Sequence, residues 1–127
     1  MLRWVVAAGV MLALPSVASA QDVENGKKLF SKCAPCHSIG PGAKNKVGPE
    51  LNGLGERKSG SVEGFNYSPA MKASNLTWNT ATLDEYLADP KKKVPGNKML
   101  FPCVKDEMER ADLVAYLESF NADGTQK

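Results

Sequence analysis

The sequence predicts a small all-α domain of about three main helices, with long loops wrapped around one large rigid ligand. Three stretches carry apolar residues at helical spacing and begin with residues that favour helix starts. About forty residues rich in Gly, Pro, Asn and Ser separate the first two helices, and so long a loop without structure is uncommon in a compact domain. A bound ligand would supply the packing that this loop lacks.

The first helix is predicted from about Asp22 to about Lys32. Asp22 is a favourable N-cap residue, because its carboxylate can accept a hydrogen bond from a free amide of the first turn. Val23, Gly26 and Phe30 then recur at helical spacing, which gives the helix one face for packing.

The second helix is predicted to begin near Asn79 or Thr80, with Thr82 and Glu85 as an alternative capping pair. Its apolar face carries leucine and tyrosine. Pro90 ends it, because proline disfavours helical geometry in the residue before it.

The third helix is predicted from about Lys105 to Phe120, with one apolar stripe. Asp106 and Glu107 fall in its first turn. Negative charge is favourable there because the helix dipole is positive at its N-terminus.

Residues 1–20 are predicted to be a signal peptide, and residues 21–127 the mature domain. Arg3 precedes an apolar stretch too short to span a bilayer comfortably, and Ala18-Ser19-Ala20 fits the small-residue cleavage pattern. Cleavage after Ala20 would leave 107 of the 127 residues. An uncleaved membrane anchor is the alternative. We expect a soluble, periplasmic mature protein.

The charge balance argues against a nucleic-acid binder. The chain has 16 basic and 14 acidic residues, and loss of Arg3 with the signal peptide leaves 15 and 14, a net charge of +1. General nucleic-acid binding requires a strong basic field. The charges are nevertheless segregated, so that one end should be positive and the other negative. An early basic group consists of Lys27, Lys28, Lys32, Lys44 and Lys46, and a later basic group of Lys91, Lys92, Lys93 and Lys98. The acidic group lies in the third predicted helix and consists of Asp106, Glu107, Glu109, Asp112 and Glu118.

The strongest signal is Cys33-Ala34-Pro35-Cys36-His37, which has the C-x-x-C-H pattern of covalent c-type haem attachment. Two cysteines one turn apart can reach the two vinyl groups on one porphyrin edge, and the next residue then offers imidazole to the iron. A thioredoxin-like pair would need an α/β context, and a zinc site would need further ligands. His37 is the only histidine, and Cys103 the only other thiol. We therefore predict one haem c, attached through Cys33 and Cys36, with His37 as an iron ligand.

The opposite face of the iron must be filled by something other than histidine. Met71, Met99 and Met108 are the candidates. Met108 lies among charged residues, and Met71 could be hydrophobic filler in the long loop. Met99 lies in a loop bounded by prolines, 95–102, whose restricted backbone suits a weak ligand. We predict Met99 as the second iron ligand.

With these motifs, the mature chain resembles the class I cytochromes c, which occur in mitochondria and as periplasmic carriers in bacteria. The resemblance covers nearly all of residues 22–120, in matching order and spacing. Its further segments are Gly26-Lys27-Lys28-Leu29-Phe30, Gly48-Pro49-Glu50-Leu51-Asn52-Gly53-Leu54, Arg57-Lys58-Ser59-Gly60, Phe65-Asn66-Tyr67, Thr77-Trp78, Leu83-Asp84-Glu85-Tyr86-Leu87 and Asp112-Leu113-Val114-Ala115-Tyr116-Leu117.

The resemblance implies that the carbonyl of Pro49 accepts a hydrogen bond from the ring of His37 and fixes its orientation. It also implies that Arg57, Tyr67 and Trp78 help to satisfy the haem propionates, which would otherwise be costly buried charges. Without the resemblance, the two aromatic residues would be interpreted as ordinary core residues and the arginine as a surface residue.

The resemblance further implies that Tyr86 lies beside the Met99 sulfur and that Phe101 shields the exposed haem edge. Gly26 would let the first and last helices cross closely. All of these positions except Gly26 are predicted to contact the cofactor.

Two positions depart from the family pattern. Met71 falls where relatives often carry a polar residue near the haem, so that hydrogen-bond network should differ here. Cys103 is unusual after the methionine loop. We expect a small buried hydrophobe there, with an exposed thiol that dimerises as the alternative.

The function predicted from this pattern is single-electron transport between larger redox proteins, without bond-making chemistry and so not an enzyme. Partners would have acidic docking surfaces: a cytochrome bc-type donor, and an oxidase, reaction centre or dehydrogenase, with only transient contact with these membrane complexes. We expect a monomer and no nucleic-acid partner. A haem enzyme or gas sensor with Met99 unbound is the alternative, and a signalling role is disfavoured by the signal peptide. Five lysines are expected to ring the haem edge: Lys32, Lys46, Lys91, Lys92 and Lys98.

Overall fold

A computed structural model describes residues 5, 7–10, 21–101 and 103–127. The predicted signal peptide lies largely outside these residues, as does its cleavage site after Ala20. Residues 5 and 7–10 are exposed and belong to no helix. Within the described ranges, no helix combines the length and the apolar composition needed to cross a membrane.

The prediction of an all-α fold is confirmed. The described residues form five α-helices and two short 3₁₀ turns, and their only β pairing is two isolated bridges. The first, third and fifth helices are the three that the sequence predicts. The helices are α1 Val23–Leu29, α2 Pro69–Ala73, α3 Thr80–Ala88, α4 Pro90–Lys93 and α5 Glu107–Glu118, and the 3₁₀ turns are Phe30–Lys32 and Leu54–Glu56.

Carboxylates begin α1 and α5, as their sequences suggest. The side chain of Asp22 accepts a hydrogen bond from the amide N of Asn25 at 3.1 Å. At α5 the side chain of Asp106 accepts one from the amide N of Glu109 at 2.9 Å. Asp106 is thus the N-cap of α5 and not a residue of its first turn, so this helix begins slightly later than predicted.

A reciprocal cap begins α3. The amide N of Thr82 donates to Oδ1 of Asn79 at 3.0 Å, and the amide N of Asn79 donates to Oγ1 of Thr82 at 2.8 Å. The alternative start, with Thr82 and Glu85 as the capping pair, is therefore wrong. Pro90 ends α3 as predicted, and it also begins α4, where the missing N–H of proline costs nothing.

The N-terminal and C-terminal helices, α1 and α5, cross in direct backbone contact. A Cβ atom on Gly26 would overlap the carbonyl oxygen of Asp112 and stand 2.7 Å from Cβ of Tyr116. The carboxylate of Asp112 also accepts hydrogen bonds from the amide N of Asp22 and from Nδ2 of Asn25, both at 2.8 Å. The resemblance predicted this close crossing, and the structure confirms it.

Part of the core lies between α3 and α5 and forms one side of a large cavity. Leu83 and Leu87 of α3 and Leu113 and Leu117 of α5 are all buried. Three of these leucines also line the cavity: Leu83, Leu87 and Leu117. The protein core and the cavity therefore share their apolar surface.

The long connection from α1 to α3 has more structure than the sequence predicts. The buried side chain of Asn52 anchors this connection. Its Oδ1 accepts from the amide N of Gly40 and its Nδ2 donates to the carbonyl of Gly40, each at 2.8 Å. Helix α2 also lies in this connection and was not predicted. Its signal was the pair Ser68-Pro69: the hydroxyl of Ser68 accepts from the amide N of Met71 at 3.1 Å, and proline occupies the first position.

We expect Gly26→Ala to lower the free energy of unfolding by about 1–3 kcal/mol, because the methyl group of the alanine cannot fit against the α5 backbone. Urea unfolding of the purified, cofactor-loaded protein measures this. Lys28→Ala, at an exposed position of the same helix, is the control. Equal unfolding midpoints for both variants would contradict the close crossing.

Candidate functional site

The haem-attachment motif folds into a turn directly after the 3₁₀ turn that follows α1. The amide N atoms of Cys36 and His37 both donate to the carbonyl of Cys33, at 3.0 and 2.9 Å. This turn places the side chains of Cys33, Cys36 and His37 on the wall of one cavity. The two thiols are not joined in a disulfide, so both are available for bonding to a ligand.

The thiol of Cys33 does not resemble that of a redox-active pair. Burial, with a smaller contribution from neighbouring Cys36, raises the pKa of Cys33 to about 11. Thioredoxin-like cysteines have lowered pKa values, which makes their thiolates reactive at neutral pH. The thiol–disulfide alternative is therefore disfavoured. In the part of the chain that the structure describes, no three His, Cys, Asp or Glu side chains are grouped so as to hold a metal ion.

His37 is fixed in the orientation of an iron ligand. Its Nδ1 lies 2.8 Å from the carbonyl oxygen of Pro49, which can only accept, so Nδ1 carries the proton. The lone pair of a neutral ring is then on Nε2. Burial lowers the pKa of His37 and favours this neutral form, although the hydrogen bond to Pro49 opposes the shift. Gly48 packs flat on the ring, where a Cβ atom would stand 2.7 Å from Nδ1.

The cavity has a volume of about 830 Å³ and a mainly apolar wall. All the residues predicted to contact the cofactor line it. They are Cys33, Cys36, His37, Pro49, Arg57, Tyr67, Trp78, Tyr86, Met99 and Phe101.

The positions of the three methionines distinguish them as candidates for the second iron ligand. Met99 and Met71 both line the cavity, whereas Met108 is 66% exposed on α5 and does not. Met71 lies in α2, and the hydroxyl of Ser74 donates to its carbonyl at 2.7 Å. The cavity thus contains two thioethers, of which Met99 is the one we predicted as ligand.

The Met99 loop is held by a side chain that sequence reasoning missed. Oδ1 of Asn97 accepts from the amide N of Met99 at 2.8 Å, while Nδ2 donates to the carbonyls of Pro90 and Val94 at 2.9 and 2.8 Å. The Pro-Gly-Asn sequence at residues 95–97 was an available turn signal. Pro102, the second predicted boundary of the loop, lies outside the described residues.

A tyrosine hydroxyl contacts the Met99 sulfur, as the resemblance implied. The hydroxyl of Tyr86 donates to Sδ of Met99 at 3.4 Å. Burial raises the pKa of Tyr86 to about 12, so the phenol is a neutral donor at physiological pH. Its ring packs edge-on against Trp78, with centroids 5.1 Å apart. This contact limits how far the thioether can turn.

A second missed residue is Arg110, which holds the segment that follows the Met99 loop. Nε of Arg110 donates to Oδ1 of Asp84 on α3 at 2.8 Å, and Nη1 donates to the carbonyls of Val104 and Lys105, both at 3.0 Å. The amide N of Val104 also donates to the carbonyl of Leu87 at 2.9 Å. The chain on the far side of Met99 is therefore attached to α3 and α5.

The polar end of the cavity contains Arg57 and Tyr67. Nη1 of Arg57 donates to Oε1 of Glu50 and to the carbonyl of Asn52, both at 3.2 Å, and burial lowers its pKa. The hydroxyl of Tyr67 accepts from the amide N of Val62 at 3.0 Å. That Arg57 and Tyr67 satisfy the haem propionates stays a prediction. The sequence analysis did not predict Glu50 as the carboxylate partner of Arg57.

Cys103 is half-buried and lies outside the cavity wall. It is therefore less buried than we expected, and the alternative of a dimerising thiol stays a prediction.

The residues present fit a covalently attached haem. A porphyrin requires an apolar enclosure, and c-type attachment requires two thiols beside an imidazole. The cavity supplies both, together with a thioether, a soft ligand suited to iron in its reduced state. Its volume is in the range that buries a ligand of cofactor size.

Comparisons with known proteins agree with this site. The family model described as cytochrome c matches residues 23–121. A cytochrome c2 of Blastochloris viridis is 55% identical over 118 residues, which cover 93% of each chain. A cytochrome c-550 of Nitrobacter winogradskyi is 57% identical over 106 residues, covering 84% of this chain and 97% of the relative. Among solved structures, cytochrome cH from Methylobacterium extorquens has a TM-score of 0.69 at 44% identity and covers 76% of this chain and 96% of its own.

We expect Arg110→Gln to lower the free energy of unfolding by about 1–3 kcal/mol, because two carbonyls and a carboxylate lose a charged donor. Chemical unfolding measures the loss, and limited proteolysis should cut faster within residues 99–105. Lys105→Gln, which removes an exposed charge from the same segment, is the control. If the two variants are equally stable and equally resistant, the proposed anchoring is wrong.

Proposed function

The chain belongs to the cytochrome c family, and from that premise we propose that it is an exported electron carrier whose haem iron is bound by His37 and Met99. One observation carries the proposal: an imidazole with a free Nε2 and a thioether line the same apolar cavity as both motif thiols. Family membership makes this a haem c protein of electron transport. The identity of the second ligand, the location and the partners are our inference.

The bound haem supplies a one-electron couple. The residues of this chain hold it and exclude water. The Pro49 carbonyl fixes the His37 ring, and buried Tyr86 restrains the Met99 sulfur, so both ligands are preorganised. A rigid enclosure changes little when an electron arrives or leaves, which suits a carrier.

Export is supported by the N-terminal sequence pattern. A cytochrome c2 of Rhodoplanes tepidamans aligns over its entire length with 107 residues of this chain. The same number would remain after cleavage behind Ala20. The proposed location is therefore the periplasm, with residues 21–127 as the working protein.

The mouth of the cavity suggests an acidic partner. Lys32, Lys46 and Lys98 are exposed and line it, together with Leu100, which is 90% exposed. Lysines around an exposed apolar centre favour a brief, electrostatically steered encounter. A cytochrome bc-type donor and an oxidase, reaction centre or dehydrogenase with acidic docking surfaces would fit. Lys91 and Lys92, also predicted here, are exposed on α4 but do not line the cavity.

Replacing the proposed second ligand tests the function directly. Met99→Ala should abolish the weak red absorption band of methionine-ligated ferric haem, because the proposed sulfur ligand is removed. The ferrous protein should bind carbon monoxide rapidly, whereas the unsubstituted protein should bind it slowly. Optical spectra of the purified protein, with and without carbon monoxide, measure both effects.

Two matched variants distinguish the possible ligands. Met108→Ala removes an exposed methionine and should leave the spectrum unchanged. Met71→Leu keeps the bulk of the other thioether in the cavity and should also retain the band. Loss of the band in the Met71 variant alone would transfer the ligand role to Met71. Rapid carbon monoxide binding by the unsubstituted protein would favour a haem enzyme or gas sensor.

The steering role of the lysines predicts a salt effect whose sign depends on the probe. Oxidation of the reduced protein by ferricyanide, an anion, should slow roughly threefold or more between about 0.01 and 0.15 M salt, as the Debye length falls from about 30 to about 8 Å. A cationic cobalt(III) oxidant should react faster under the same change. Stopped-flow mixing measures both rates.

The variant Lys32→Gln/Lys46→Gln/Lys98→Gln should remove most of the salt effect with ferricyanide. Lys27→Gln/Lys28→Gln/Lys105→Gln makes the same charge change at exposed positions that do not line the cavity, and should retain it. Equal salt dependence in the two triple variants would show that the lysines at the cavity do not steer the encounter.

A further inference from the structure

An ion pair lies at the polar end of the cavity, and one of its partners, Glu50, has no role in the function derived so far. Nη1 of Arg57 lies 3.2 Å from Oε1 of Glu50, and the two side chains are only 14% and 24% exposed. Glu50 directly follows Pro49, whose carbonyl orients the proposed iron ligand. A partly buried charge pair so close to a redox site is screened less than a pair in open solvent.

The backbone holds both charges in place. Oε2 of Glu50 accepts from the amide N of Asn52 at 2.7 Å, and Nη1 of Arg57 donates to the carbonyl of the same residue at 3.2 Å. The amide N of Glu50 donates to Oδ1 of Asn45 at 3.0 Å. Asn52 is itself buried and fixed to Gly40. The pair is therefore a rigid part of the loop and not a mobile surface contact.

The two charges face different spaces. Arg57 lines the haem cavity, whereas Glu50 does not and instead lines a separate cavity of about 750 Å³ that Arg57 also borders. The carboxylate thus borders only the second cavity, whereas the guanidinium side chain borders both. Both charges affect Tyr67 on the cavity wall. Burial is the main cause that raises the pKa of this tyrosine; Arg57 opposes the rise and Glu50 adds to it.

We propose that Glu50 lowers the reduction potential of the haem by offsetting the positive charge that Arg57 presents to the cavity. The oxidised haem carries one more positive charge than the reduced haem, so an uncompensated cation nearby would favour reduction. Glu50 acts through Arg57 and is a positioning and charge-balancing residue. The proposal rests on the proposed electron-carrier function, because it assigns a property of that same site.

Removing either the negative charge of Glu50 or the positive charge of Arg57 tests this mechanism. Glu50→Gln removes the negative charge beside Arg57 and should raise the ratio of reduced to oxidised protein at a fixed ambient potential about three- to tenfold, or about 30–60 mV at about 59 mV per decade. Arg57→Gln removes the positive charge that borders the haem cavity and should shift the ratio in the opposite direction. The double variant should lie between the two. Spectroelectrochemical titration of the purified haem protein measures all three.

Controls separate charge from structure. Glu56→Gln removes an exposed carboxylate that borders the same second cavity and should shift the ratio by much less than Glu50→Gln. Glu50→Asp keeps the charge and should restore most of the original potential. If Arg57→Gln cannot be isolated with haem, the comparison of the Glu50 variants with Glu56→Gln decides the question.

The proposal is overturned if Glu50→Gln shifts the potential no more than Glu56→Gln, or if the two single deletions shift it in the same direction. Either result with normal absorption spectra and slow carbon monoxide binding would leave the electron-carrier function intact. A haem iron that binds carbon monoxide freely in the unsubstituted protein would instead contradict the function itself.

Discussion

The structure depends on enclosing a cavity of about 830 Å³ within a domain of little more than a hundred residues. A chain of this size buries only a modest core, so it cannot build one apolar interior for itself and another for a ligand. Leucines of α3 and α5 meet this constraint by facing each other and the cavity together. The haem would therefore complete the core, and loss of the cofactor would remove apolar contacts from both helices at once.

The two proposed iron ligands are held by different means. His37 follows a tight turn after α1, and the Pro49 carbonyl and flat-packed Gly48 fix its ring from two directions. Met99 lies in a loop, and its position depends on the side chains of Asn97 and Tyr86. The imidazole is thus secured mainly by backbone and the thioether mainly by side chains. The methionine side is where substitution could most readily change the chemistry of the site.

The sequence predicted those parts of the fold whose cause is local. The cap at Asp22 depends on an atom three residues away, and helical periodicity needs only one segment, so α1, α3 and α5 were all found. The motif at Cys33 and His37 is likewise a local spacing rule. Helix α2 was missed because five residues carry too little periodicity, although its Ser68 cap was visible.

The missed parts of the site depend on partners distant in sequence or on exact loop geometry. Arg110 and Asp84 lie 26 residues apart, and no pattern in either segment indicates their contact. Glu50 and Arg57 lie seven residues apart in an irregular loop, where neither spacing nor composition predicts an ion pair. The resemblance to a family indicated residues that line the cavity, but it gave no role to Glu50, although this residue lies within one of the resembling segments.

The crossing of α1 with α5 has a consequence for the order of events in biogenesis. The contact joins segments 90 residues apart, so it cannot form until nearly the whole chain has been synthesised. Cys33 belongs to the N-terminal part, and its side chain is half-buried in the folded chain, whereas Cys36 is exposed. Before the C-terminal helix docks, the Cys33 thiol is therefore more accessible to covalent attachment than it is in the folded chain.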